Sequence, residues 1–125
     1  MTMVDSQPLD PPLAARDYCY LTTTGRVTGK PHRIEIWFAL KDSTIYILAG
    51  GRYRSDWVKN VIRQPHVDVT IGAEAFDGTA RVVDGGAEDA LARRLLLEKY
   101  AKGDADLADW GRTALPVAID LAHAP

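Results

Sequence analysis

The segment Leu21–Ala39, LTTTGRVTGKPHRIEIWFA, contains two runs of strand-favouring residues on either side of a turn. Gly25 and Gly29 supply the turn, because glycine adopts backbone angles that other residues avoid. Basic side chains lie in or just after the turn: Arg26, Lys30, His32 and Arg33. Bends rich in backbone N–H groups bind anions, and guanidinium or ammonium groups add charged donors. The segment predicts a β-hairpin with an anion-binding tip, although a solvated basic tip fits these residues alone equally well.

The length of 125 residues corresponds to one domain with enough chain to bury a core. Hydrophobic residues make up 46% and charged residues 26%, an ordinary balance for a globular protein. No apolar run approaches the roughly 20 residues of a membrane-spanning helix, and the first residues do not resemble a signal peptide. A cytoplasmic location is therefore expected. Cys19, the single cysteine, is expected to be buried rather than bonded to another thiol.

Charge is unevenly distributed along the chain. The net charge is −2, yet residues 26–63 hold eight lysines and arginines against three acidic residues. This basic middle between acidic flanks favours a focused site for an anionic ligand. The acidic balance of the whole chain argues against a dedicated nucleic-acid-binding protein.

Alternating and β-branched stretches predict six strands. They are expected at residues 18–24, 33–40, 44–49, 66–71, 76–83 and 115–121. Short turns separate the first three strands, which are expected to form a meander. Gly78, inside the fifth strand, predicts either a bulge or a point where another segment approaches closely.

Two stretches have helical periodicity. The first begins after Ser55, a favoured N-cap residue, and ends before Pro65. The second covers residues 87–101, is amphipathic, and directs Leu91, Leu95 and Leu96 inward. A short helical turn is expected within residues 104–111.

Strands followed by helices in this order predict an α+β domain over residues 18–125, with an irregular segment over residues 1–17. The six-stranded, mostly antiparallel sheet is expected to curl into a small barrel with two main helices. No metal site is predicted, because His32, His66 and His123 lack any known ligand spacing. No motif of a nucleophilic triad is present either.

A ligand site built from three parts remains. These are the hairpin tip, Trp37 as an aromatic wall, and the segment 50–57, where a strand ends in two glycines and a helix begins. Core packing is the simpler interpretation of Trp37 and Trp57, and a solvated loop is the simpler one for Arg52 and Arg54. A flat apolar ring with an anionic tail would use all three parts, and flavin-like cofactors fit this description.

The sequence LTTTGRVTGKPH resembles the Thr-Thr-Gly-Arg-x-(Ser/Thr)-Gly-x-Pro hallmark of the deazaflavin-dependent nitroreductase family. The likeness continues in AGG at 49–51, DWVKN at 56–60, PHV at 65–67 and WGRTALPV at 110–117. It implies a split β-barrel related to the flavin-binding pyridoxamine-phosphate oxidases. It also implies an oxidoreductase in which reduced coenzyme F420, a deazaflavin, delivers hydride to a quinone, nitroaromatic or enone.

The resemblance also implies roles for individual positions. Arg26, Thr28 and the Gly29 backbone match positions that hold the phosphate and polyglutamate end of the coenzyme. Tyr100 and Trp110 match the substrate side, where Tyr100 or solvent would donate a proton. The residues expected to contact the cofactor are Arg26, Thr28, Gly29, Lys30, His32, Arg33, Trp37, Ala49, Gly50, Gly51, Asp56 and Trp57.

Some positions depart from the family pattern. Val27 stands where a lysine is common, and His32 stands where an arginine is common. The loop after Gly51 is shorter, and the tyrosine cluster near the carboxy-terminus is thin. The resemblance therefore defines the cofactor class better than the substrate class.

Alternatives to this function stay open. One is an FMN-dependent reductase on the same fold, and another is a non-catalytic module that holds a flavin, a haem or a lipid, since no residue is committed to catalysis. A homodimer is expected, because many short strands leave edges that need cover. Arg26 lies between two turn glycines, where packing does not demand a long cation. Its removal is therefore expected to weaken ligand binding and to leave the stability of the fold nearly unchanged.

Overall fold

The structure is a computed structural model that describes residues 11–101 and 107–123. Its strands are β1 Cys19–Thr24, β2 Pro31–Ile36, β3 Ala39–Lys41, β4 Thr44–Ala49, β5 His66–Ile71, β6 Glu74–Val82 and β7 Leu115–His123. Its helices are α1 Pro11–Ala14, α2 Asp56–Arg63, α3 Gly86–Tyr100 and α4 Leu107–Thr113, with a 3₁₀ turn at Arg52–Arg54. The strands form one antiparallel sheet in the order β2-β1-β5-β6-β7-β4-β3. The predicted α+β class and curled antiparallel sheet are confirmed.

Over residues 11–101 and 107–123 the sheet has seven strands where six were expected, because the stretch predicted as residues 33–40 is interrupted. Trp37 and Phe38 separate β2 from β3, and the two strands lie at opposite edges of the sheet. The interruption coincides with two consecutive buried residues, Phe38 and Ala39, which break the alternation of a strand. Both pairings of the predicted meander are present, as β1 with β2 and β3 with β4, but the middle strand is divided, so the three predicted strands are not consecutive in the sheet. Two consecutive strands can occupy opposite edges only because the sheet curls into a barrel.

The barrel interior is filled by the inward residues of the strands. Leu21, Ile45, Ile47, Val69 and Ile119 are all fully buried there. Cys19 is fully buried as well, as the sequence predicts, and burial raises the pKa of its thiol to about 12. Gly78 pairs with Val67 on one side and Leu121 on the other in uninterrupted ladders, so it is a point of close approach and not a bulge.

Helix α3 covers a second apolar cluster on the outside of the sheet, where Ala92 and Leu96 are fully buried. Leu91 and Leu95, also expected to point inward, are only partly buried against that cluster. Arg81 fastens the helix to the sheet through two hydrogen bonds to Glu88, at 2.6 and 2.8 Å. Bidentate contacts of this kind fix the orientation of both groups.

The segment before β1 is partly helical. Helix α1 brings Leu13, which is 8% exposed, against the barrel core, whereas residues 1–10 lie outside the described residues. The turn predicted within residues 104–111 is present as α4 from Leu107 onward, and residues 104–106 also lie outside the described ranges. Among the helices of the described residues, none combines the length and apolar character needed to cross a membrane.

Candidate functional site

A groove of about 470 Å³ lies between the β1–β2 hairpin and α2, and we call it the hairpin groove. Its lining residues are Thr23, Gly25, Arg26, Val27, Thr28, His32, Arg33, Ile34, Asp56, Trp57 and Asn60. Backbone hydrogen bonds close the hairpin, from Gly29 N to Gly25 O at 2.9 Å and from Gly25 N to Lys30 O at 2.8 Å. The positive φ of 74° at Gly29 explains why glycine occupies that corner.

Arg26 is more constrained than its place in a glycine turn suggests. Its guanidinium donates a hydrogen bond from Nη1 to Asn60 Oδ1 at 2.9 Å and pairs through Nη2 with Asp56 Oδ1 at 3.3 Å. Its backbone N–H also donates to Asn60 Oδ1, at 3.1 Å. The expectation that packing makes no demand on this side chain is therefore wrong, because Arg26 ties the hairpin to α2.

Asn60 is a site residue that the sequence argument did not single out. It is 4% exposed, accepts both hydrogen bonds from Arg26, and donates from Nδ2 to Thr23 Oγ1 at 3.0 Å. A signal was available, since Asn60 lies about one turn after Trp57, next to the apolar stripe of the helix, and four residues after Asp56. Asparagine is a poor helix former, so a buried one inside a helix indicates a specific polar partner.

Two further basic residues of the groove come from β2. The ring of His32 lies against the turn, where a Cβ on Gly25 would come within 2.7 Å of its Nε2. The Arg33 guanidinium lies over the Tyr20 ring at 4.1 Å, a cation–π contact. Two arginines, Arg26 and Arg33, outnumber Asp56, the acidic residue of the lining, so the groove favours an anionic ligand.

Trp57 has two roles that the sequence could not separate. It is partly buried and packs on two core clusters, and it also lines the hairpin groove. Ser55 occupies the N-cap position of α2, as predicted, although its side chain makes no capping hydrogen bond. The groove thus combines cationic donors with one aromatic wall.

A second cavity, of about 410 Å³, follows the groove along β2, and we call it the aromatic cleft. Its lining residues are Glu35, Ile36, Trp37, Leu48, Leu107 and Trp110. The Trp37 ring stacks on the Tyr100 ring with centroids 4.4 Å apart and planes 3° apart. Trp110 meets Trp37 edge-on at 5.7 Å. This arrangement offers a flat, apolar surface to an aromatic ligand.

The Tyr100 hydroxyl is already engaged by backbone groups. It accepts a hydrogen bond from Phe38 N at 3.1 Å, and the carbonyl oxygens of Asp17 and Phe38 lie 2.8 and 2.9 Å away. Burial raises the pKa of Tyr100 to about 12, so the hydroxyl stays protonated at neutral pH. Tyr100 is not among the residues that line either cavity.

The remaining predicted positions are dispersed around these cavities. Ala49 is 2% exposed and packs with Val58 and Leu115 in the core. Gly50 and Gly51 line a separate pocket of about 440 Å³ with the 3₁₀ turn Arg52–Arg54. Lys30 is exposed at the hairpin turn, where its backbone N–H donates to Thr28 Oγ1 at 3.2 Å.

Arg52, in the 3₁₀ turn after Gly51, is already engaged by neighbouring groups of the protein. Arg52 donates from Nη1 to the Thr113 carbonyl at 2.6 Å and pairs with Asp84 at 3.4 Å. Its guanidinium therefore holds the loop against the end of α4.

Within the described ranges, His66, Asp68 and Asp77 bring one possible metal-ligand atom each within 4.8 Å of one another. They lie on β5 and β6, and His66 Nε2 is 3.5 Å from Asp77 Oδ1. All three side chains reach solvent, and we interpret the group as a cross-strand polar cluster. No metal is assigned to it.

Solved structures share this fold. An F420-H2 dependent reductase is 27% identical, with a TM-score of 0.68 over 86% of this chain and 95% of that chain. A domain-swapped dimer is 26% identical, with a TM-score of 0.68 over 97% of this chain and 87% of that chain. A proposed pyridoxamine 5′-phosphate oxidase from Listeria innocua is 18% identical, with a TM-score of 0.63 over 90% and 88% of the two chains. These likenesses confirm the predicted split-barrel fold.

Comparison with curated proteins gave no significant match. The model of the F420H(2)-dependent quinone reductase family, in contrast, matches residues 7–122. This match supports coenzyme F420 as the cofactor and oxidoreductase chemistry as the activity, in agreement with the sequence prediction. The chain belongs to the F420H(2)-dependent quinone reductase family.

Proposed function

We propose that this protein binds reduced coenzyme F420 in the hairpin groove and reduces an electron-poor substrate, either a quinone, a nitroaromatic or an enone. The observation that carries the proposal is the meeting of Arg26, His32 and Trp57 in one groove, which Arg33 also lines. An anionic tail and a flat ring are the two recognisable parts of a deazaflavin, and the groove offers a partner to each.

The residues present fit the coenzyme by the chemistry of their donors. Arg26 and Arg33 would hold phosphate or carboxylate groups, since guanidinium forms paired hydrogen bonds to both. His32 and the Thr28 hydroxyl would add further donors, and Trp57 would lie beside the ring. When bound, reduced F420 supplies a hydride from its ring carbon C5. The protein contributes orientation, exclusion of water and charge complementarity.

The aromatic cleft is the proposed substrate side, so Trp37, which is expected from the sequence to contact the cofactor, is assigned to the substrate instead. Trp37 and Trp110 offer a face and an edge to a planar substrate, and Leu48 completes an apolar wall. Because the Tyr100 hydroxyl is held by backbone groups, we assign the donated proton to solvent rather than to Tyr100.

The decisive experiment compares cofactors before it measures turnover. Purified protein is titrated separately with F420 and with FMN, and binding is followed by the change in each chromophore's fluorescence. We expect binding of F420, followed by loss of reduced F420 absorbance when menadione is added. Tight binding without turnover of any of the three substrate classes would indicate a sequestering module, and a preference for FMN would indicate the alternative reductase.

The proposal includes a homodimer. Strands β2 and β3 are the two edges of the sheet, and β2 is largely exposed along its length. Unpaired strand edges are commonly covered by another chain, and one structural neighbour is a domain-swapped dimer. Light scattering at micromolar concentration is expected to give twice the mass of the chain. A monomer mass that persists at higher concentration would contradict this assignment.

A further inference from the structure

At the break between β2 and β3, the backbone leaves the hydrogen-bond ladders of the sheet. Trp37 and Phe38 belong to neither strand, and Phe38 is fully buried. Buried backbone N–H and C=O groups outside a ladder need other partners, because leaving them unpaired costs free energy. The partners of Phe38 come from the last two residues of α3.

Lys99 and Tyr100 satisfy both polar groups of Phe38. The Phe38 N–H donates to Tyr100 Oη at 3.1 Å, and the Phe38 carbonyl accepts from Lys99 Nζ at 2.8 Å. Lys99 Nζ also lies 3.9 Å from the centre of the Phe38 ring. We call these contacts the α3 clasp.

The inward position of Lys99 is unusual for its type. Lysine side chains normally extend their charged end into water, and buried ones require specific partners. Here the ammonium lies between a carbonyl and two aromatic rings, with the Tyr100 ring 5.1 Å away. Burial lowers the pKa of Lys99 to about 8, which reflects the cost of this placement.

The clasp acts on the aromatic cleft through Trp37. The Trp37 ring stacks on the Tyr100 ring at 4.4 Å, and its neighbour Phe38 is held by the same tyrosine's hydroxyl. We propose that Lys99 and Tyr100 are positioning residues that fix Trp37 as a wall of the aromatic cleft and thereby set the affinity for flat substrates. The inference rests on the proposed function, because it takes the cleft as the substrate side.

Two variants remove the clasp without removing the side chains' bulk. Lys99→Met keeps an unbranched stem but loses the ammonium, and Tyr100→Phe keeps the stacked ring but loses the hydroxyl. Glu98→Gln is the matched control, since Glu98 is an exposed neighbour on α3 that pairs only weakly with Arg94 at 3.4 Å. Lys99→Arg retains a cationic donor, so it tests whether a donor at this position restores the properties of the wild-type protein.

The first readout needs no cofactor. Near-ultraviolet circular dichroism reports the stacked Trp37–Tyr100 pair, and Trp37→Phe identifies the signal that belongs to it. We expect this signal to fall by about half or more in Lys99→Met, to recover partly in Lys99→Arg, and to stay unchanged in Glu98→Gln. Tyr100→Phe is assessed by its kinetics alone, because it replaces one of the two stacked chromophores. An unchanged signal in Lys99→Met would overturn the proposal, whatever the activity of the protein.

The second readout separates positioning from chemistry. We take Trp37 to bind the substrate equally tightly in the ground state and in the transition state. Displacing Trp37 then raises KM for menadione about tenfold and changes kcat by less than about threefold. F420 affinity should stay the same, because the hairpin groove does not include the clasp. A loss of kcat at unchanged KM in Tyr100→Phe would instead make Tyr100 a proton donor. If the wild-type protein reduces no substrate, the proposed function fails while the dichroism still tests the clasp.

Discussion

Arg26→Ala should weaken binding of coenzyme F420 by about ten- to a hundred-fold, because a charge-assisted contact to phosphate or carboxylate contributes roughly 1.5–3 kcal/mol. The same change should also lower the free energy of unfolding by about 1 kcal/mol, since the hydrogen bond to Asn60 Oδ1 is lost. The ion pair with Asp56 adds little to that cost, because the Asp56 side chain is 85% exposed. Fluorescence titration of F420 and urea unfolding measure the two effects.

Lys59→Ala is the matched control for Arg26→Ala. Lys59 lies on α2 beside Asn60 but is exposed and is not among the residues that line the hairpin groove. Its removal should change neither F420 affinity nor stability appreciably. Arg26→Lys should bind F420 with intermediate affinity, because lysine keeps the charge but not the paired donors. Equal losses of affinity in Arg26→Ala and Lys59→Ala would show that general positive charge, not the hairpin, attracts the coenzyme.

Most strands could be predicted because runs of β-branched and aromatic residues lie between turn residues; burial alternates in β5 but not in β4. β4 and β5 have the bounds expected from the sequence, Thr44–Ala49 and His66–Ile71, since turn residues delimit both. The order of strands could not be predicted in the same way. Whether consecutive strands pair or separate depends on how far the sheet curls, and the period of one strand carries no information about that. The break at Trp37 is an example, because the strands on either side of it, β2 and β3, lie at opposite edges of the sheet.

A site residue could be predicted where its side chain and its place in the hairpin both indicate ligand binding. It was harder to predict where the residue also has a structural role. His32 and Arg33 lie in the groove expected from their hairpin. The structural role of Arg26 depends on Asn60, which is 34 residues away in the sequence, and no local pattern joins them. Lys99 was not predicted as a site residue, and the reason is similar: its partner Phe38 is 61 residues away in the sequence. Long-range polar pairs of this kind become visible only when the fold is known.

Gly78→Val should lower the free energy of unfolding by about 3 kcal/mol, a large part of the roughly 5–15 kcal/mol that holds a domain folded. A Cβ at this position would lie 2.6 Å from Ile119 Cγ2 and 3.2 Å from Val67 Cγ2. Both neighbours are β-branched and at most 1% exposed, so neither can rotate away without disturbing the core. Urea unfolding followed by tryptophan fluorescence measures the loss as a lower midpoint.

A double-mutant cycle tests whether the contact with Ile119 causes this loss. Ile119→Ala removes the Cγ2 methyl group and creates space, at its own cost of about 2–5 kcal/mol. In that background Gly78→Ala should cost less than about 0.5 kcal/mol, whereas in the wild-type chain it should cost about 1–2 kcal/mol. Gly50→Ala is the control, because a Cβ there meets only Trp110 Cδ1 at 3.8 Å, an ordinary contact. Additive costs in the cycle would show that the contact with Ile119 does not cause the loss and would leave the contact with Val67 or the backbone as its source.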